Sequence, residues 1–244
     1  MSSDSGRVDL SIVIPAFNEE HRLPCAVETV SSYLGAAGVR AEVLIVQNGS
    51  SDRTQEIADA AAGADSRFRA LRLSERGKGR AVRAGMLASR GQVVVLCDAD
   101  FSMPVEEIAQ LIEAIGGGAD VAIGSREAPG ARRMGEPARR HIMGRMFNRV
   151  VQLVAVRGLQ DTQCGFKAFR GEVARDLFRR QLVSGWAFDV EVLYLARRLG
   201  YHIEEVPITW RYDPSSRVQP VRDTISMLRE LFTIRWNDLR GRYG

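Results

Sequence analysis

The chain has little of what builds a disulfide scaffold, a zinc site or a membrane span. Its three cysteines, Cys25, Cys97 and Cys164, are odd in number and far apart. That excludes a disulfide framework and spaced zinc ligands, and fits a reducing compartment. The three histidines, His21, His141 and His202, are isolated, so none is assigned to a metal. No run approaches the roughly 20 apolar residues of a spanning helix. The first nine residues are polar and lack the apolar segment of a signal peptide. Aromatic content of 7% is low for a base-stacking surface, and a net charge of +4 is modest. Both argue against a nucleic-acid partner. The expectation is a cytoplasmic protein whose contact with membrane is peripheral.

What is present reads as one α/β unit. With 244 residues, 45% hydrophobic and 26% charged, the chain can bury a large core. Short apolar runs at Leu10–Ile14, Val43–Val46, Ala70–Leu73, Val93–Leu96 and Val121–Ile123 alternate with helical periodicities. That alternation predicts a Rossmann-like, doubly wound, mostly parallel sheet. Asn18 is expected to cap the first helix, with Glu19 and Glu20 in its first turn. Asp52 with Gln55 is expected to form a capping box for the second. Cys164–Phe169 resumes strand character. Ile203–Trp210, which contains Pro207, reads as an added edge strand, taken as antiparallel. An arginine-rich segment from Arg126 to Arg149 reads as a basic loop passing into a helix. Residues 218–244 read as a C-terminal amphipathic helix with the apolar stripe Val221, Ile225, Leu228, Leu231, Phe232 and Trp236, an extension of the domain over 1–217.

The chemistry concentrates at Val93-Val94-Val95-Leu96-Cys97-Asp98-Ala99-Asp100. A strand buried on both faces runs into two carboxylates spaced by one small residue. Such strands present ligands at their carboxyl edge. Residues i and i+2 of an extended chain point the same way, so Asp98 and Asp100 can converge on one hard cation. The same edge collects Pro15 to Glu19, Gln47 to Asp52, Gly77-Lys78-Gly79, and Gly124-Ser125-Arg126. Together these make a cradle for a nucleoside diphosphate.

The residues that carry this chemistry resemble a known family. Ser11-Ile12-Val13-Ile14-Pro15-Ala16-Phe17-Asn18-Glu19-Glu20, Asn48-Gly49-Ser50-Ser51-Asp52-Arg53-Thr54, Asp98-Ala99-Asp100 and Gly124-Ser125-Arg126 look like the family-2 inverting glycosyltransferases of GT-A fold. Asp161-Thr162-Gln163-Cys164-Gly165-Phe166-Lys167 and Trp186-Ala187-Phe188-Asp189-Val190-Glu191 are similar to motifs of the dolichyl-phosphate β-glucosyltransferase group. The resemblance runs from about Leu10 to Trp236. It implies a metal-dependent hexosyltransferase, with Mg²⁺ or Mn²⁺, that moves glucose from UDP-glucose to a polyprenyl phosphate at the anionic cytoplasmic membrane surface. By the same resemblance Pro15, Phe17 and Glu19 border the nucleoside. Asn48 and Asp52 line the uracil side, and Lys78 lies on the diphosphate side. Asp98 lies near ribose and sugar, and Asp100 is the direct metal ligand. Arg126 and Arg140 grip the acceptor phosphate, and Arg217 closes over the donor phosphates.

The departures from the family pattern leave alternatives open. Gln47-Asn48 stands where the family has two acids. Ser102 stands where related mannosyltransferases carry a metal-ligating amide, which implies water in that place. The N-terminal anchor of the eukaryotic enzymes is expected to have no counterpart here. GDP-mannose or UDP-N-acetylglucosamine as donor, or a hydroxyl acceptor on a small metabolite, is the alternative reading. Asp189 is correspondingly a general base, an orienting group or a helix cap. A hydroxyl acceptor needs a base; a phosphate monoester, with its second pKa of about 6, does not. Arg132, Arg133, Arg139, Arg145 and Arg149 read as a solvated or lipid-facing surface. Trp186 and Phe188 read as sugar-pocket wall or core.

Overall fold

A computed structural model describes residues 8–213 and 220–244, with side chains of the last helix described from Ser226 onward. Seven strands form the main sheet: β1 (Leu10–Ala16), β2 (Ala41–Asn48), β3 (Phe68–Leu73), β4 (Val93–Leu96), β5 (Val121–Ser125), β7 (Lys167–Arg170) and β8 (Ile203–Pro207). Their order across the sheet is β3-β2-β1-β4-β7-β5-β8. Two further strands, β6 (Arg132–Met134) and β9 (Thr209–Arg211), pair in parallel as a separate ribbon.

Side-chain alternation divides the core between the two faces of the sheet. Ile12, Ile14, Ile45 and Val95 face α1 (Leu23–Ala37), α2 (Thr54–Ala64) and α4 (Ile108–Gly116). Val13, Val46, Val94, Leu96 and Phe169 face α3 (Lys78–Ala88), α6 (Gly171–Arg180) and α7 (Phe188–Arg198). Val94, Val95 and Leu96 are fully buried. Each such side chain contributes about 1.5–3 kcal/mol, which is why this valine-rich segment becomes an inner strand. The strand order reverses between β1 and β4, so the loops after them diverge and open a crevice at the carboxyl edge.

The sheet is mostly parallel, as expected, but its antiparallel member is not at the edge. β7 lies inside, antiparallel to both β4 and β5. The edge strand β8 is parallel to β5. Ile203–Trp210 is not one strand: it leaves the main sheet at Pro207, and Thr209 starts the ribbon with β6. Helix α6 had no counterpart in the expected elements. Asn18 does not cap α1, which starts at Leu23 with Pro24 in its first turn and no acidic residue there. The Asp52–Gln55 box does not form either. Asp52 accepts from Thr54, while Gln55 donates to Asp59. The arginine-rich segment becomes β6 and then α5 (Ala138–Val154). The C-terminal helix α8 (Pro220–Leu239) buries Leu231 and Ile234, yet Phe232 and Trp236 are exposed. The expected stripe therefore faces two ways; Val221 and Ile225 lie outside the described side chains.

Helix α3 approaches β1 and β2 closely because Gly85 has no side chain. A Cβ there would run into Val13 Cγ1 and lie 2.9 Å from Val46 Cγ2. We expect Gly85→Ala to cost about 1–3 kcal/mol of stability through overpacking, measured as a lower urea midpoint. An unchanged midpoint would contradict this packing.

Candidate active site

The loops after β1 and β2 are stitched together by backbone groups. Asn18 adopts a positive φ of 54°, and its Oδ1 accepts from Ser51 N at 2.8 Å. Glu19 N donates to Thr54 Oγ1 at 2.7 Å, and Glu20 N to Asp52 Oδ2 at 3.2 Å. Asp52 Oδ1 also accepts from Thr54 N and Oγ1. Burial works against the charged form of Asp52, but these hydrogen bonds outweigh it and hold the carboxyl below its usual range. Both Asp52 oxygens are thus engaged by the loops, so Asp52 shapes this part of the crevice rather than offering it a free carboxylate. Gln47, with its carboxamide oxygen turned inward, accepts from Gly49 N, Ser50 N and Ser50 Oγ. Its amide closes this turn and is not free to read a base. Asn48 is buried at the end of β2. A cleft of about 510 Å³ opens beside it, lined by Gln47, Gly49, Ser50, Arg72, Leu73 and Ser74. The Arg76 guanidinium lies 5.0 Å over the Phe17 ring. Pro15 and Glu19 flank the same loop.

The carboxylate rim has its own counter-ion. Lys78 Nζ lies 2.8 Å from Asp98 Oδ1 and 2.9 Å from Oδ2, and 5.2 Å from the centre of the Trp186 ring. Gly77 starts this helix with φ 140°, and a Cβ on it would meet Ser184 O at 2.6 Å. The glycine lets the lysine loop and the Trp186 loop touch. Burial disfavours the Lys78 charge, but Asp98 and Asp189 outweigh it and raise its pKa. Asp100 Oδ1 accepts from Ser102 N at 3.1 Å. Burial and the Asp98 charge together push the Asp100 carboxyl up. A neighbouring charge that disfavours the ionisation of Asp100 creates a demand for positive charge at the rim. Among the described residues no group of three or more His, Cys, Asp or Glu could hold a metal ion. The two rim carboxylates are hard oxygen donors that could hold a divalent cation such as Mg²⁺ or Mn²⁺ if further oxygen ligands completed its shell.

The reversed direction of β7 places its leading end at this rim. A Cβ on Gly165 would run into Asp98 Oδ2, so the turn before β7 presses on the rim and tolerates no side chain. Two residues on, Lys167 donates to Asp189 Oδ1 at 2.7 Å and to Cys164 O. Burial pushes the Asp189 carboxyl up, with Lys167 and Lys78 acting in the opposite sense. The Cys164 thiol is pushed up to about 12 by burial, which removes it as a nucleophile. Glu191 is fully buried and accepts from Leu182 N, Val183 N and Tyr243 Oη, so it braces the loop that carries Trp186. Phe188 is core, whereas Trp186 is partly exposed at the rim.

Beside the rim, where Arg211 N donates to Ser102 O at 2.7 Å, arginines gather over two rings. Trp210 and Tyr212 lie 6.1 Å apart. Arg126 and Arg133 sit 5.4 and 5.9 Å over Trp210, and Arg140 lies 5.0 Å over Tyr212. The expected pair Arg126 and Arg140 is therefore brought together. Arg126 is also bound by Asp161 through Nε at 2.6 Å and Nη2 at 2.8 Å. Burial opposes the Asp161 charge, but the Arg126 guanidinium brings its carboxyl down to about 2. Arg217 lies outside the described residues. The residues that sequence reasoning left without a role are Lys167, Gly165, Asp161 and Arg76; Arg133, expected on a solvated or lipid-facing surface, is instead mostly buried because Glu127 and Glu136 bind its guanidinium. A lysine beginning an otherwise apolar strand, Lys167-Ala168-Phe169, was the one signal available.

Comparison with known proteins agrees with this arrangement. The model of the family described as glycosyl transferase family 2 matches residues 11–178. This chain belongs to that family. The transferase is 38% identical over 251 residues to the dolichyl-phosphate beta-glucosyltransferase of Drosophila melanogaster, covering 95% of this chain and 76% of that protein. It is 32% identical to the Homo sapiens protein of the same name, covering 98% and 78%. Its fold matches glucosyl-3-phosphoglycerate synthase from Mycobacterium tuberculosis, crystallised with Mn²⁺, UDP and phosphoglyceric acid. The TM-score is 0.69 at 20% identity, over 98% of this chain and 79% of that one. The mixed, mostly parallel GT-A sheet is thereby established for the transferase.

The Asp161–Arg126 pair makes a prediction about pH. The Asp161 carboxyl titrates at about 2 in the fold and near 3.9 when unfolded. A depressed carboxylate contributes stability that is present above the unfolded value and lost as pH falls through the folded one, here on the order of 2 kcal/mol. Asp161→Asn is expected to lower the melting temperature at neutral pH, with the gap to wild type narrowing from about pH 4 toward 2. A gap that does not vary with pH would contradict the pairing.

Proposed function

We propose that the transferase moves glucose from UDP-glucose to a polyprenyl phosphate, with inversion, at the surface of a membrane. The observation that carries this reading is the Lys78–Asp98–Asp100 rim with the arginine cluster on Trp210 and Tyr212 beside it, since Arg211 N donates to Ser102 O, two residues past Asp100. One end suits a diphosphate and its cation; the other suits a second phosphate. The names of the similar proteins, dolichyl-phosphate beta-glucosyltransferase in several organisms, support the same donor sugar and acceptor.

In this reading Asp100 and Asp98 would hold Mg²⁺ or Mn²⁺, which would supply positive charge for the departing diphosphate. Lys78 exchanges its partner Asp98 for a diphosphate oxygen. Arg140 and Arg126 fix the acceptor phosphate in line with the sugar carbon, leaving Asp161 to aim Arg126 rather than to bind substrate. The attacking oxygen comes from a phosphate that is mostly the dianion at neutral pH. Positioning then provides most of the rate. The phosphate oxygen forms a bond to C1 as the C1–O bond to the diphosphate breaks, and UDP leaves.

An exposed apolar surface on two neighbouring helices supports the lipid acceptor. Ile142, Met146, Val150 and Leu153 of α5 are exposed, as are Phe232, Trp236 and Leu239 of the neighbouring α8. Arg139, Arg145, Arg149, Arg229, Arg235 and Arg240 flank these stripes. Exposed apolar side chains ringed by arginines suit an anionic lipid interface. No helix among the described residues is long and apolar enough to cross a membrane.

The test is transfer of radiolabelled glucose from UDP-glucose to polyprenyl phosphate in anionic vesicles with Mn²⁺. Asp100→Ala, while keeping its fold, is expected to lose about 10²-fold or more in turnover. Wild-type turnover in that variant, or no lipid product from the wild type, would overturn the reading.

A further inference from the structure

Lys167 and Asp189 form an ion pair removed from water, with side chains 1% and 7% exposed. The fold explains how they meet. β7 runs against its neighbours, so Lys167 opens the strand abreast of Leu96 and Ile123, at the carboxyl edge. Alternation puts Lys167 on the face of Phe169, which α7 covers. Asp189 is the second residue of α7, and no side chain caps that helix, so the carboxylate is not a cap. Packing alone gives no reason for the pair. Charges taken out of water cost several kcal/mol each, and apolar residues of similar size do as well or better. Both members border the donor rim: Asp189 interacts electrostatically with Lys78 and Asp98, and Gly165, two residues before Lys167, touches Asp98.

We propose that Lys167 is a positioning residue: it clamps Asp189 as a fixed carboxylate at the hexose side of the donor site, where Asp189 accepts hydrogen bonds from the sugar and takes no proton from the acceptor. A general base must be able to hold a proton. If Asp189 did so, the Lys167 charge would be stranded in the core beside a neutral acid, an arrangement that is strongly disfavoured. Lys167 therefore holds the carboxylate ionised through the reaction, against the burial that pushes its pKa up. This inference rests on the glucosyl-transfer reading above, and adds that the acceptor arrives already deprotonated.

The experiment compares binding of UDP and of UDP-glucose, each with Mn²⁺, by calorimetry. The proteins are wild type, Lys167→Met, Asp189→Asn and the double variant. The pH dependence of kcat is measured for each. Lys167→Met is expected to bind UDP as wild type does, and UDP-glucose about tenfold more weakly, because only the sugar contacts are disturbed. Its kcat profile between about pH 6 and 9 should fall without changing shape. Asp189→Asn should behave likewise. Should Lys167→Met fail to fold, the double variant removes both charges and gives the same comparison. Equal weakening of UDP and UDP-glucose would mark the pair as structural and overturn the proposal. So would an Asp189→Asn protein that binds UDP-glucose normally but loses an ionisation from its kcat profile. A wild type that binds UDP yet transfers no glucose would instead overturn the underlying reading, and this proposal with it.

Discussion

Repulsion between two carboxylates is the constraint around which the site is arranged. Asp98 and Asp100 follow a strand with no exposed side chain, so neither can move far from the other or fully into water. The fold answers with one ammonium, Lys78, on Asp98. Among the described residues Asp100 has no such partner, and its carboxyl is pushed up. One unit of positive charge against two carboxylates leaves the rim able to accept a cation together with the phosphates that accompany it. The glycines beside Lys78 follow from the same constraint. They let the lysine loop reach the rim while the Trp186 loop packs against it.

The reversed strand β7 supplies the second half of the arrangement. All the other strands of the main sheet present their carboxyl ends at the crevice. β7 presents its amino end, so the turn through Asp161, Cys164 and Gly165 and the residue Lys167 reach the same rim from the opposite direction. That turn places Asp161 on Arg126, Gly165 against Asp98 and Lys167 on Asp189. One inserted strand thus links the arginine cluster, the carboxylate rim and the buried carboxylate of α7. The brace of Glu191 and Tyr243 behind the Trp186 loop holds the other wall.

The sequence made the rim legible because its signal is local. A valine run ending in Asp-Ala-Asp has few structural readings, and the glycine-flanked lysine and the arginine after β5 fall at the same edge once the strands alternate. The direction of β7 was not legible. Its four residues carry no periodicity, and nothing in them distinguishes an inner antiparallel strand from a parallel one. Asn18 and Asp52 carried good capping signals, but tertiary hydrogen bonds between loops outweighed local ones. Arg126 could be placed in the site from its position after β5. Its pairing with Asp161, 35 residues away, is a long-range contact that spacing does not encode. Phe232 and Trp236 fit an apolar helix stripe by periodicity, which cannot tell a face turned to the core from one turned to lipid.

The central claim is that Asp98 and Asp100 become a cation site only with a nucleoside diphosphate, since the protein alone brings two carboxylates and one of them is held by Lys78. Electron paramagnetic resonance of Mn²⁺ titrated with the protein, in the absence and presence of UDP, measures this directly. The account predicts weak Mn²⁺ binding by the free protein and binding strengthened by about tenfold or more with UDP. Mn²⁺ binding of equal strength with and without UDP would contradict it.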